Sequence, residues 1–113
     1  MCFQEKHILI ISEDENSPLV KRLGKKNYLP LVRRSMNGVM DLVKRHKINA
    51  IIVDRVLSDL DPIEFVLNVR DVNEKIPVFF PEQEIDSKKW ELVYRLDGVF
   101  KFNNLDDLIH SIH

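Results

Sequence analysis

The sequence is short of the residues that mark several common activities. It has three glycines in 113 residues, and none falls in a clustered loop of the kind that wraps a phosphate. A glycine-rich nucleotide site, and with it a small flavodoxin-like enzyme, is therefore disfavoured. The loop after the first apolar run, Glu13-Asp14-Glu15, is acidic and would repel a phosphate. The single cysteine, Cys2, allows neither an internal disulfide framework nor a cysteine-rich zinc site, and it fits a reducing compartment. His7, His46, His110 and His113 lack metal-ligand spacing. No apolar run approaches the roughly 18 residues of a membrane span. The opening Met-Cys-Phe-Gln-Glu-Lys lacks the basic-then-apolar order of a signal peptide. Formal charges nearly cancel, at -1, so the basic excess of a nucleic-acid binder is missing. These features predict a cytoplasmic protein with neither membrane attachment nor direct nucleic-acid binding.

What remains is a chain that is 44% hydrophobic and of the length of one domain, expected to span 1–113. Short apolar runs alternate with amphipathic stretches. The runs at His7 to Ser12, Tyr28 to Arg34, Ile48 to Asp54, Ile76 to Phe80 and Gly98 to Phe102 read as strands. They are apolar throughout, as strands covered on both faces require. Pro30 predicts that the second strand lies at a sheet edge. Helices are expected between them. One is capped by Asn16 or Ser17 with Pro18 in its first turn, and runs to Asn27. The next extends from a Ser35 cap to His46, weakened by Gly38 in its interior. A third starts at Asp61-Pro62-Ile63-Glu64 and runs to Val72, with Ile63, Val66, Leu67 and the stem of Arg70 inward. The acid at its N-cap and the proline after it make a strong helix start. A fourth, Ser87 to Leu96, carries Trp90, Val93 and Tyr94, and a fifth follows an Asn104 cap. This alternation implies right-handed β-α-β units and a mostly parallel sheet between two helical layers.

In such a sheet ligands sit beyond the carboxyl ends of the strands. Glu13 and Asp14 follow the first strand, Asp54 ends the third, and Lys101 lies on the fifth. Converging carboxylates repel one another unless a cation joins them, and an all-oxygen set suits magnesium. A carboxylate beside magnesium and an ammonium is chemically able to accept a phosphoryl group. Asp54 is the candidate acceptor.

Here the sequence resembles the receiver domain of two-component response regulators, over nearly its whole length. "LIISEDE" (9–15) is similar to that family's strand and acidic pair, and Asp54 after "AIIV" stands where the family places its phosphoacceptor. Asp61 and Glu64 match a family helix start, Arg70 its close, "IPVFF" (76–80) the fourth strand, and "KFNNLDDLIHSI" (101–112) the lysine segment and last helix. The resemblance implies a flavodoxin-like three-layer sandwich with strand order 2-1-3-4-5. It implies Mg2+ held by Asp14 and Asp54, by Glu13 through water, and by the Val56 backbone carbonyl, with Lys101 pairing the phosphoryl oxygen. The implied phosphodonor is a sensor histidine kinase or phosphotransfer protein. The implied output is a downstream protein or effector domain, engaged through the fourth helix, fifth strand and fifth helix. No enzymatic turnover beyond self-phosphorylation and self-dephosphorylation is implied.

The sequence also departs from the family. Where a Ser or Thr follows strand four, the chain reads Phe80-Pro81-Glu82. Gly98 stands where strand five carries an aromatic switch residue, with Phe100 nearby. Phe102 replaces the proline after the lysine, which removes the expectation of a cis peptide there. Pro62 replaces a glycine and favours the helix. These departures leave an alternative, a degenerate pseudo-receiver that acts as an interaction module independently of phosphate.

Overall fold

The computed structural model describes residues 6–13, 17–26, 28–54, 60–82 and 88–112. In chain order they form β1 (Lys6–Ile11), α1 (Pro18–Lys25), β2 (Tyr28–Arg33), α2 (Val39–Arg45), β3 (Ile48–Val53), α3 (Pro62–Val72), β4 (Val78–Pro81), α4 (Lys88–Arg95), β5 (Val99–Phe102) and α5 (Leu105–Ile112). The strands make one parallel sheet in the order β2-β1-β3-β4-β5. The expected flavodoxin-like architecture is therefore observed. Pro30 lies opposite Ile8 on β2, an edge strand, where its missing N–H leaves the ladder between β1 and β3 intact.

Alternation along the strands sorts the core into two halves. Leu9, Ile11, Ile51, Val53, Val78 and Phe80 pack against Val39 and Val43 of α2, Val66 and Val69 of α3, and Val93 of α4. Ile8, Ile10, Ile52 and Phe79 pack against Leu19 and Leu23 of α1 and Leu108 and Ile109 of α5. The central strands are buried on both faces, which is why they are written in isoleucine and valine without polar alternation.

The helix starts follow local chemistry. The Ser17 hydroxyl accepts from the Leu19 N–H at 3.2 Å, with Pro18 in the first turn. Asp61 Oδ1 accepts from the N–H groups of Ile63 and Glu64 at 3.1 and 3.3 Å, ahead of Pro62. Asn104 Oδ1 accepts from the Asp107 N–H at 2.9 Å. Two expectations need correction. The second helix starts after Gly38, not after Ser35, because Gly38 adopts φ 76°, a left-handed conformation that cannot sit inside a right-handed helix. Leu67 is 52% exposed, because the stripe that α3 buries is Phe65, Val66 and Val69, and Leu67 lies off it. The expected Ser87 cap and Asn27 helix end lie outside the described residues.

Arg70, at the end of α3, ties three segments together. Its Nη1 donates to the Ile76 carbonyl at 2.6 Å, and Nε and Nη2 donate to the Asp97 carbonyl at 3.0 and 2.8 Å. Burial pushes its pKa down, opposed by nearby Asp97, yet a guanidinium stays charged throughout the working pH range. Among the described residues no helix is long and apolar enough to cross a membrane.

Candidate functional site around Asp54

Asp54 is the first residue past β3, the middle strand of the sheet, and its N–H donates to the Ile11 carbonyl at 2.9 Å. Ile11 pairs with Val53, so the next step of the register sets Ser12 beside Asp54. The alternation that turns Val53 toward α2, α3 and α4 turns Asp54 toward α1. There, Asp54 Oδ2 accepts from the hydroxyls of Ser12 and Ser17 at 3.0 and 3.1 Å. Both serines are buried and Asp54 is half-buried. Among the described residues, Oδ1 accepts no hydrogen bond. Among the described residues, then, one carboxylate oxygen is fixed by two neutral donors and the other by none.

Neither serine was expected at this site. Ser17 was read only as a helix cap, and it performs both roles, because its oxygen accepts from Leu19 while its hydroxyl hydrogen serves Asp54. The signal for Ser12 was present: it is the first polar residue after a fully buried run, on a strand whose end is level with that of β3.

Glu13 is exposed, and its backbone carbonyl accepts from Arg34 Nε at 3.3 Å. Asp14 and Val56, the other expected magnesium ligands, lie outside the described residues. No group of three or more potential metal-ligating side chains occurs among the described residues.

Lys101 is turned to the other side of the sheet. It pairs with Phe80, and so shares that residue's face, toward α4. Its ammonium lies 3.9 Å from Glu82 Oε1 and 5.7 Å from the centre of the Tyr94 ring. Among the described residues it makes no ion pair with Asp54. Glu82 is held beside it by the ladder, its N–H donating to the Phe102 carbonyl at 2.9 Å. Tyr94 is fixed by its hydroxyl, which donates to the Pro81 carbonyl at 2.9 Å. Trp90 stands 5.8 Å from Tyr94 and meets Phe80 edge-on at 5.5 Å, centre to centre.

No protein-family model matches the sequence, and no curated protein matches it. Solved structures do match. A CheY-like response regulator receiver domain from Methanospirillum hungatei superposes with a TM-score of 0.78 at 16% identity, covering 96% of this chain and 91% of that one. The fold is that of a receiver domain. A response regulator from Burkholderia pseudomallei, solved with a phosphorylated aspartic acid, a calcium ion and citrate, matches at 0.75 and 14% identity, over 96% of this chain and 67% of that one. An adenylate cyclase from Rhodopirellula baltica matches at 0.79 and 15% identity, over 96% and 85%. Likeness at such identity carries the receiver fold and leaves activity to be argued from the side chains.

Glu82, in the place read as lacking a hydroxyl, is the residue that holds Lys101.

Proposed function

We propose that the protein is a two-component receiver module, spanning 1–113, that accepts a phosphoryl group on Asp54 and converts it into a change of protein–protein contact. The observation that carries this reading is the state of the Asp54 carboxylate. It stands at the carboxyl end of the middle strand, with Oδ2 fixed by Ser12 and Ser17 and, among the described residues, no hydrogen-bond donor on Oδ1. In the transfer, Oδ1 forms a bond to phosphorus and the donor's bond to phosphorus breaks. With acetyl phosphate as donor, acetate leaves. Glu13 and Asp54 offer the hard oxygen donors that suit magnesium, with Asp14 and the Val56 carbonyl as further ligands in the same reading. When bound, Mg2+ would neutralise charge on the phosphoryl oxygens. The donor is a histidine kinase or phosphotransfer protein, and the output face is α4, β5 and α5. The setting is the cytoplasm.

A second reading has its own support. The Lys101–Glu82 pair and the absence of a hydroxyl after β4 favour an interaction module whose output does not depend on phosphate. Intact mass after incubation with acetyl phosphate and magnesium separates the two, with Asp54→Asn as control. One phosphoryl adduct in the parent and none in the control supports the acceptor. A folded parent with no adduct after long incubation favours the module.

A further inference from the structure

Among the described residues, Leu92 on α4 and Leu67 on α3 are the most exposed large hydrophobic side chains, at 54% and 52%. Both line one groove between those helices, with Ile63 as further apolar lining. An apolar strip with a charged rim is the form of a protein-interaction site. Here the rim is sorted by sign. Asp61 and Glu64, at the start of α3, stand on one wall, and Lys89 of α4 stands on the other. Glu64 and Lys89 are exposed, and among the described residues neither side chain makes an ion pair. The two walls also share one spacing: Glu64 precedes Leu67 by three residues, and Lys89 precedes Leu92 by three. Three residues is close to one helical turn, so on each helix the charge and the leucine lie on the same side.

We infer that this groove is an interface with a second copy of the chain, in which α3 of each protomer lies against α4 of the other. Both helices cover the same face of the sheet, and each returns from the end of one parallel strand to the start of the next, so they run in the same direction. A two-fold axis along the groove keeps the height of every residue and exchanges the walls. It sets Leu67 against the partner's Leu92 and Glu64 against the partner's Lys89, and makes each contact twice, as an isologous interface requires. The charge order selects this axis. An axis across the groove would lay α3, with its exposed Glu64 and Asp71, on itself, and opposed like charges cost affinity. The occupant is a second copy because the chain carries both halves of the pattern at matching spacing. Further along, Glu74, Lys75 and Asp97 mix signs and add no preference. Among the described residues the groove includes none from β5 or α5, so it is distinct from the α4, β5 and α5 face.

Sedimentation equilibrium on the full chain tests it. No phosphodonor or magnesium is added, so the outcome is independent of the acceptor reading of Asp54. The parent should dimerise. Leu92→Asp should abolish the dimer, because it sets a carboxylate against the partner's Leu67, while circular dichroism stays that of the parent. Glu64→Lys and Lys89→Glu should each weaken the dimer about tenfold or more, since two attractive contacts per dimer become repulsive. The double variant Glu64→Lys, Lys89→Glu rebuilds both pairs with signs reversed, and its Kd should return to within about threefold of the parent. A parent that stays monomeric up to about 1 mM overturns the interface and leaves the groove to a different partner. A dimer unmoved by Leu92→Asp puts the contact on another face and overturns it equally. A dimer lost in Leu92→Asp, but no tighter in the double variant than in the single ones, overturns the pairing of α3 with α4.

Discussion

The guanidinium of Arg70 occupies the space that a side chain on Gly98 would need. A Cβ built there would overlap Nη2 and approach Cζ to 3.1 Å, and Gly98 adopts φ 74°. Glycine at 98 thus serves both a left-handed turn and the close approach of Arg70 to the Asp97 carbonyl. This gives a structural reason for glycine at the position where an aromatic switch residue was looked for.

Gly98→Ala should destabilise the protein by at least about 2 kcal/mol, combining the left-handed backbone cost with displaced hydrogen bonds. The check is the urea midpoint at unchanged slope. In an Arg70→Ala background the same substitution should cost only the backbone part, roughly 1–2 kcal/mol, because the steric conflict is gone. Additive costs would show that Arg70 and residue 98 do not share that space.

Arg22 Nη2 and Asp106 Oδ1 lie 2.7 Å apart and link α1 to α5, but both side chains are substantially exposed. Water and salt screen such pairs. Asp106→Asn should therefore cost no more than about 1 kcal/mol at low salt, and the difference from the parent should vanish near 1 M salt. A larger, salt-insensitive loss would mean that the pair is better shielded than its exposure indicates.

Tyr94→Phe keeps the ring under Lys101 and removes the hydroxyl that donates to Pro81. The expected loss is about 0.5–1.5 kcal/mol by thermal or urea unfolding. The emission of Trp90 should change as well, since its neighbouring ring loses an anchor. An unchanged spectrum together with unchanged stability would remove Tyr94 as a fixed point of the α4 face.

The order of the elements was legible because each strand is a buried apolar run and each gap an amphipathic one. The starts of α3 and α5 were legible to the residue and that of α1 to within one, Asn16 or Ser17, because Ser17, Asp61 and Asn104 cap through bonds to their own helices. The start of α2 was not, since it depends on the positive φ of Gly38, which a sequence with a plausible serine cap upstream does not reveal. Asp54 was visible as the acid that ends an apolar run. Its partners were hidden, because Ser12 reaches it only through the register of β1 on β3, and Ser17 only through the approach of α1. Lys101 was placed near Asp54 from its strand position, and the family resemblance implied that it pairs with a phosphoryl oxygen there. Its facing toward Tyr94 follows from being opposite Phe80, a long-range relation that strand position does not contain.

The Asp54 series separates structure from chemistry at one position. Ser12 and Ser17 are buried, and both hydroxyls point at Oδ2. Asp54→Asn keeps a carbonyl oxygen there, so both hydroxyls remain satisfied and stability should change by less than about 1 kcal/mol. Asp54→Ala removes the acceptor and leaves two buried hydroxyls without it, which should cost about 1–3 kcal/mol. Urea denaturation of the parent and the two variants is the measurement. If Asn and Ala at 54 are equally mild, the serines do not depend on the carboxylate, and the fixed Oδ2 on which the acceptor reading rests loses its support. If Asn is mild and Ala severe, Asp54→Asn is a folded, structurally faithful control, and any chemistry it lacks belongs to the carboxylate itself.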